Sequence, residues 1–329
     1  MPKALITTVP FADQDVLPIK QLEAAGVEYL VNPIGRKLTE GELAEMIADF
    51  DVLIAGTELI TENVMANAQC LRMISRVGVG LDSVDLLAAK RRGIAVSYTP
   101  DGPAPAVADL TIGLMFSLLR SVHVTNAQLH RGEWQRHFGR RMSEVTFGII
   151  GAGRIGGRVL HHLLAFGAQR LLVNDTSSQV HLAPELEVEW VDKETIYREA
   201  DVISLHVPLT GQTKNMIRSE QLLKMKNDAM VINTARGGII NQLDLAEVLQ
   251  SGHLGGAAID VFDQEPYKGS LSQIERCILT AHMGSMSFDC RARMEIEATE
   301  EAIRFLKGVP LRGLVPIEEY DLQRQGSQV

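Results

Sequence analysis

Cysteine is scarce in this chain of 329 residues: only Cys70, Cys277 and Cys290 occur. None forms a CxxC pair, and an odd count in a long chain argues against a disulfide framework. A reducing, cytoplasmic setting is expected. Basic charge is also short. The formal net charge is −9, which argues against a nucleic-acid partner or an anionic membrane surface. It leaves room for a local basic pocket and a small anionic ligand. No window approaches ~18 uninterrupted apolar residues, so no membrane span is expected. The N-terminal MPKALITTVPF lacks the apolar core of a signal peptide and reads as a first β-strand. Low-complexity tracts are absent, and no metal site is expected.

What is present is core. Hydrophobic residues make up 46% and charged residues 22% of the chain, a globular balance whose length suggests about two domains. Short apolar runs at Ala4–Thr7, Val27–Val31, Val52–Ile54, Met73–Arg76 and Ile94–Ser97 alternate with amphipathic stretches such as Leu38–Ala48, Glu62–Ala68 and Ser83–Lys90. Strands spaced by helices predict a parallel sheet covered on both faces. Thr39 followed by Glu42 has capping-box spacing. Pro100, Gly102, Pro103 and Pro105 mark a boundary. The apolar stretch Ala106–Leu119 is too apolar for a surface helix and is expected to pack between domains. A second alternating block has strands at Thr146–Ile150, Leu171–Asn174, Val202–Leu205, Met230–Asn233, Ala257–Ile259 and Ile278–Thr280. A helix follows over Phe288–Leu306. A polar tail, Gln323–Val329, is expected to fray, with no regulatory domain beyond the last helix. The fold class is α/β, with two doubly wound parallel-sheet domains.

The strongest local motif runs from Phe147 to Gly156, an apolar strand leading into Gly151-Ala-Gly153-Arg154-Ile155-Gly156. A helix is expected over Arg158–Phe166. Gly151 permits the tight turn, Gly153 lets backbone approach a pyrophosphate, and Gly156 packs helix against strand. Helix N–H groups then hold the phosphates. Asp175 ends the next strand, 19 residues past Gly156. A carboxylate there accepts from ribose hydroxyls and repels a 2′-phosphate, which favours NAD over NADP.

Three later segments each follow a strand. Asn233-Thr-Ala-Arg236-Gly237-Gly238 offers a guanidinium whose planar fork can grip a carboxylate. Ala258-Ile-Asp260 leads to Glu265-Pro266, and Ile278–Ala281 leads to His282. Together they suit reduction of a 2-oxo acid. Arg236 orients the carboxylate and polarises the carbonyl. His282 delivers a proton as hydride arrives. Glu265 stabilises the imidazolium form.

These blocks, NTARGG, AAIDVFDQEP and the His282 segment, resemble in order and spacing the D-isomer-specific 2-hydroxyacid dehydrogenases. That group includes phosphoglycerate, glycerate and formate dehydrogenases, and the resemblance covers about residues 3 to 315. It implies Arg236, Glu265 and His282 as the catalytic set, with Asp260 facing the nicotinamide carboxamide. It places Arg154 and Ile155 at the pyrophosphate and Asp175 at the adenosine ribose. Val207, Pro208, Thr234, Ala235 and Gly284 complete the implied cofactor site. The Arg76-Val77-Gly78-Val79-Gly80 loop resembles the family's carboxylate loop, so Arg76, Val77, Gly78 and Val79 join Arg236 and His282 as implied substrate contacts. The implied architecture is discontinuous: a flavodoxin-like substrate domain from residues 1–99 plus 287–329, and a Rossmann NAD-binding domain over 100–286. A homodimer is implied, with the Ala106–Leu119 helix taking part.

Departures from the family pattern are Ser83 for Asn, Asp109 for Glu, Ala281 for Pro, and Met142-Ser-Glu-Val145 for Leu-x-Gly-Lys. RVGVGLDSVDL, YTPDG and NTARGG together most resemble phosphoglycerate dehydrogenases, so phosphoglycerate and phosphohydroxypyruvate are the favoured pair. Arg76 and the basic run from Arg131 through Arg136 and His137 to Arg140 and Arg141 could hold the phosphate. Against this, Ala55 stands where an Arg usually faces that group. Hydroxypyruvate, glyoxylate or another 2-oxo acid is the alternative. Another class, an NAD(H)-sensing corepressor-like scaffold, retains the same residues. A formate dehydrogenase is disfavoured by the short N-terminus.

Overall fold

The computed structural model describes residues 1–176, 182 and 186–326. From the N-terminus, β1 (Lys3–Ile6), α1 (Leu17–Ala24), β2 (Glu28–Val31), α2 (Glu40–Met46), β3 (Val52–Ala55), α3 (Glu62–Asn67), β4 (Met73–Arg76), α4 (Leu86–Arg91) and β5 (Ala95–Ser97) alternate. All five strands are parallel, in the order β2-β1-β3-β4-β5. The chain continues through α5 (Ala104–Leu119), α6 (Val122–His130), β6 (Thr146–Ile150), α7 (Arg154–Ala165), β7 (Arg170–Asn174), β8 (Glu189–Trp190), α8 (Lys193–Glu199) and β9 (Val202–Leu205). It closes this block with α9 (Ser219–Lys224), β10 (Met230–Asn233), α10 (Gln242–Gln250), β11 (Gly256–Ile259) and β12 (Cys277–Leu279). Its seven strands pair in parallel, in the order β12-β11-β10-β9-β6-β7-β8. Helices α11 (Phe288–Leu306) and α12 (Ile317–Gly326) end the chain. Met1–Pro103 and the segment from Met286 onward form one compact unit; Ala104–Ser285 forms the other.

Strand periodicity explains the second unit's two cores. Ile150, Leu172, Ile203, Leu205, Val231, Ala257 and Ile259 face one cluster. Phe147, Ile149, Leu171, Val173, Val202, Ile232 and Ala258 face the other. Alternate side chains thus enter opposite cores, as a sheet covered on both faces requires. Helix α5 lies in the second core, against α7, β10 and β11 of its own unit, which accounts for its apolar sequence. In the first unit, Leu5, Leu53, Ile74 and Val96 form one cluster with α2, α3 and α4. On the other face α11 packs against β3 and β4, with the Ser75 hydroxyl bonded to Ala298 O at 2.7 Å.

Three boundaries differ from expectation, each for a local reason. The helix expected over Ser83–Lys90 starts at Leu86, because the Asp85 carboxylate caps Ala88 N at 2.8 Å. The helix after the glycine motif starts at Arg154 rather than Arg158. Gly156 and Gly157 lower helix propensity there, but tertiary packing overrides it. The expected frayed tail is helical through residue 326. The Gln323 amide donates to Val84 O at 2.6 Å and accepts from Leu86 N at 2.8 Å, which docks α12. Residues 327–329 of that tail lie outside the described residues. The capping box at Thr39 and Glu42 is present with both of its bonds. No single helix among the described residues is long and apolar enough to cross a membrane.

Candidate active site

In a doubly wound sheet, ligands lie beyond the C-terminal strand ends. The second unit gathers its chemistry there. At the end of β6, Gly151 adopts φ +95°, and Gly156 sits so close that a Cβ would lie 1.9 Å from Gly151 O. Space at Gly153 is open: a Cβ there would meet nothing within 4 Å among the described residues. Among the described residues no side chain caps α7, whose first residues are Arg154 and Ile155. The uncapped N–H groups and the open approach fit a pyrophosphate. Asp175 follows β7, and its Oδ2 accepts from Ala152 N at 2.7 Å, tying that carboxylate to the glycine loop. Val207 and Pro208 follow β9. Thr234 and Ala235, both buried, follow β10. Thr234 shares a 2.8 Å hydroxyl bond with Thr111 of α5.

Strands β10, β11 and β12 are neighbours, so Arg236, the Asp260–Glu265 loop and His282 leave adjacent strand ends. His282 Nδ1 lies 2.9 Å from Glu265 Oε2 and 3.1 Å from Oε1. An ionised carboxylate only accepts, so Nδ1 carries the proton and Nε2 is turned to other work. The Glu265 carboxylate also accepts from Phe262 N at 3.1 Å, and Phe262 stacks on Tyr267 at 4.3 Å. His282 has φ +50°, a backbone region that few side chains adopt. The Arg236 turn rests on the Glu265 loop, where a Cβ on Gly237 would lie 2.1 Å from Phe262 O.

The sequence model for the NAD-binding domain of D-isomer-specific 2-hydroxyacid dehydrogenases matches residues 112–284. A hydroxypyruvate reductase from Thermotoga maritima is 35% identical over 82% of this chain and 89% of its own. The chain belongs to the D-isomer-specific 2-hydroxyacid dehydrogenase family. This family of oxidoreductases works with NAD. A D-3-phosphoglycerate dehydrogenase from Methanocaldococcus jannaschii is 36% identical over 94% of this chain, which spans only 59% of that relative. A crystal structure of a Thermus thermophilus protein covers 95% of this chain and 100% of its own at TM-score 0.86 and 34% identity. That of a glyoxylate reductase from Paecilomyes thermophila covers 96% and 99% at TM-score 0.84 and 26% identity.

Within this dehydrogenase-family chain, some implied residues have structural duties. In the first unit Val77 N donates to Ala55 O at 2.9 Å and Gly78 N to Thr99 Oγ1 at 2.8 Å. The backbone N–H groups of these two implied substrate contacts are therefore already engaged. Arg76 is buried, and its guanidinium donates to Gly80 O at 2.9 and 3.1 Å and to Ala55 O at 3.2 Å. It braces the loop from within. Asp260, 1% exposed, accepts from Thr280 Oγ1, Met283 N and Gly284 N. Sequence reasoning missed Asn233, which is buried behind Arg236: its side chain bonds Arg236 O at 2.8 Å and Ala235 N at 3.0 Å. The signal for it was an amide at the last position of an otherwise apolar strand.

Proposed function

We propose that this chain interconverts a small D-2-hydroxy acid and its 2-oxo acid. The observation that carries the reading is the His282–Glu265 contact, on the strand ends that also present Arg236 and the glycine loop. The second unit is the cofactor domain and the first the substrate domain. The glycine loop, the α7 N-terminus and Asp175 would hold NAD, which when bound supplies hydride in its reduced form and accepts it in its oxidised form. Arg236 grips the acid's carboxylate and orients its carbonyl. In the reductive direction His282 donates its Nε2 proton to the oxygen at C2, and in the oxidative direction it takes that proton back. Glu265 keeps the imidazole in the productive tautomer.

Between a phosphorylated acid and simple ones, hydroxypyruvate or glyoxylate is favoured here. Three arginines of the basic run that could take a phosphate are already in ion pairs. Arg131 pairs with Glu133 and Glu275, Arg140 with Asp201, and Arg141 with Glu144. Ala55 adds no charge. The test is NADH oxidation against hydroxypyruvate, glyoxylate and phosphohydroxypyruvate, with His282→Ala as control. Hydroxypyruvate or glyoxylate should give the highest kcat/KM, and the variant should lose turnover while still quenching with NADH. Preference for the phosphorylated acid would overturn the substrate choice. Turnover of no acid, with NADH-dependent capture of a partner protein, would favour the scaffold reading.

A cytoplasmic homodimer completes the proposal. Its support is the exposed apolar set Val122, Leu129, Trp134 and Phe138, with Trp134 83% exposed. Light scattering at the mass of one chain would refute the dimer.

A further inference from the structure

Two buried polar side chains at neighbouring strand ends take no part in the chemistry above. Asn233 is the last residue of β10, and Asp260 follows β11. They are 2% and 1% exposed. Asp260 N donates to Asn233 O at 3.0 Å, which joins the two strand ends just past the Asn233–Ile259 pair.

Each side chain is spent on the backbone of one catalytic segment. Asn233 Oδ1 accepts from Ala235 N and its Nδ2 donates to Arg236 O, closing the turn on both sides of the Arg236 Cα. Asp260 works on the His282 loop. Its main-chain oxygen accepts from His282 N at 2.8 Å. Its Oδ1 accepts from Thr280 Oγ1 at 2.6 Å and Met283 N at 2.9 Å, and its Oδ2 accepts from Gly284 N at 2.9 Å. The loop therefore aims three donors at one point. Only a group with two accepting oxygens and no hydrogen satisfies all three. No Lys or Arg pairs with Asp260 among the described residues, and a buried carboxylate without a cation is tolerated only when such donors surround it. These bonds bracket His282, whose left-handed backbone needs surrounding structure to hold it.

We propose that Asn233 and Asp260 are positioning residues: Asn233 sets the Arg236 fork, and Asp260 sets the His282 imidazole. This inference rests on the dehydrogenase reading and extends it to residues that need not touch the reacting atoms. It separates the two effects. Loosening the Arg236 turn weakens the grip on the acid, whereas loosening the His282 loop slows proton transfer.

The experiment uses the full chain, hydroxypyruvate and NADH. Asn233→Ala should raise KM for hydroxypyruvate more than it lowers kcat, by roughly tenfold or more, the scale expected when a catalytic group is displaced by a fraction of an ångström. Asp260→Asn places an N–H against the loop's donors. The amides of Met283 and Gly284 should then exchange with deuterium faster, by about tenfold or more, in the absence of NADH. Should Asp260→Asn fail to fold, Thr280 carries the test. Thr280→Val should lower kcat several-fold, and Thr280→Ser, which keeps the hydroxyl, should restore it. Wild-type exchange in Asp260→Asn, with NADH affinity lost instead, would overturn the clamp in favour of a cofactor contact. An unchanged KM in Asn233→Ala, or equal kcat in the two Thr280 variants, would also overturn it. A wild-type chain that turns over no 2-oxo acid would sink the dehydrogenase reading, while the exchange rates would still decide the Asp260 clamp.

Discussion

Gly237→Ala is a small substitution with a large expected effect. Gly237 follows Arg236, and its φ lies outside the left-handed region, so alanine meets no torsional objection. The obstacle is contact. The new Cβ would lie 2.1 Å from Phe262 O, 2.2 Å from Phe262 C and 2.7 Å from Asp263 N. An ordinary carbon–oxygen approach is about 3.3 Å, so the gap must open by roughly 1.2 Å. Both walls are backbone. One is held by the Asn233 amide, and the other by the Phe262 N–H bond to Glu265. Neither can swing aside as a side-chain end would. Overpacking of this kind costs about 1–3 kcal/mol of stability, which should lower the melting temperature by several degrees. The larger effect is on turnover. A shift of about 1 Å between the Arg236 and Glu265 segments should reduce kcat/KM by about a hundredfold, near 2.7 kcal/mol of transition-state stabilisation. The assay is loss of NADH absorbance with hydroxypyruvate, beside a thermal melt and NADH fluorescence quenching. A variant with wild-type melting and kcat/KM within about threefold of wild type would refute this packing argument.

Three further outcomes follow from the same geometry. Gly156→Ala drives a Cβ to 1.9 Å from Gly151 O, and should weaken NADH binding at least about tenfold by displacing the α7 N-terminus; unchanged quenching would contradict it. Glu265→Gln keeps the shape but removes the charge that holds His282 Nδ1, and should lower kcat about tenfold or more with little change in NADH affinity. His206 follows β9, with its Nδ1 enclosed and without a hydrogen-bond partner among the described residues, and burial pushes its pKa down to about 3. The unfolded chain therefore binds a proton below about pH 6.5 that the folded chain refuses, so stability falls as pH drops from there toward 3. Between pH 6.5 and 5 the loss is on the order of 2 kcal/mol. His206→Asn should flatten that slope in urea melts, and equal slopes would remove His206 as the cause.

Much of the fold could be read from residue order because its determinants are local. Apolar runs such as Val52–Ile54 and Val202–Leu205 are too short for buried helices and lie between amphipathic stretches, which leaves a parallel strand as their reading. The Thr39–Glu42 capping box is equally local. Helix starts were less legible where packing opposes propensity, as at Gly156 and Gly157. The last helix was missed because its docking depends on Gln323 meeting Val84 and Leu86, more than 230 residues away in sequence.

The same division runs through the site. Residue types at strand ends, Arg236, Glu265 and His282, already pointed to the proposed chemistry, since a guanidinium, a carboxylate and an imidazole each have few reasons to stand there. What the linear chain could not decide was which groups are already spent. Val77 N, Gly78 N, the Arg76 guanidinium and three basic-loop arginines all looked available until their partners were located. Hydrogen-bond satisfaction is a property of neighbours in space. Only the tertiary structure could therefore show that the side chains of Asn233 and Asp260 are bonded to the segments that carry Arg236 and His282.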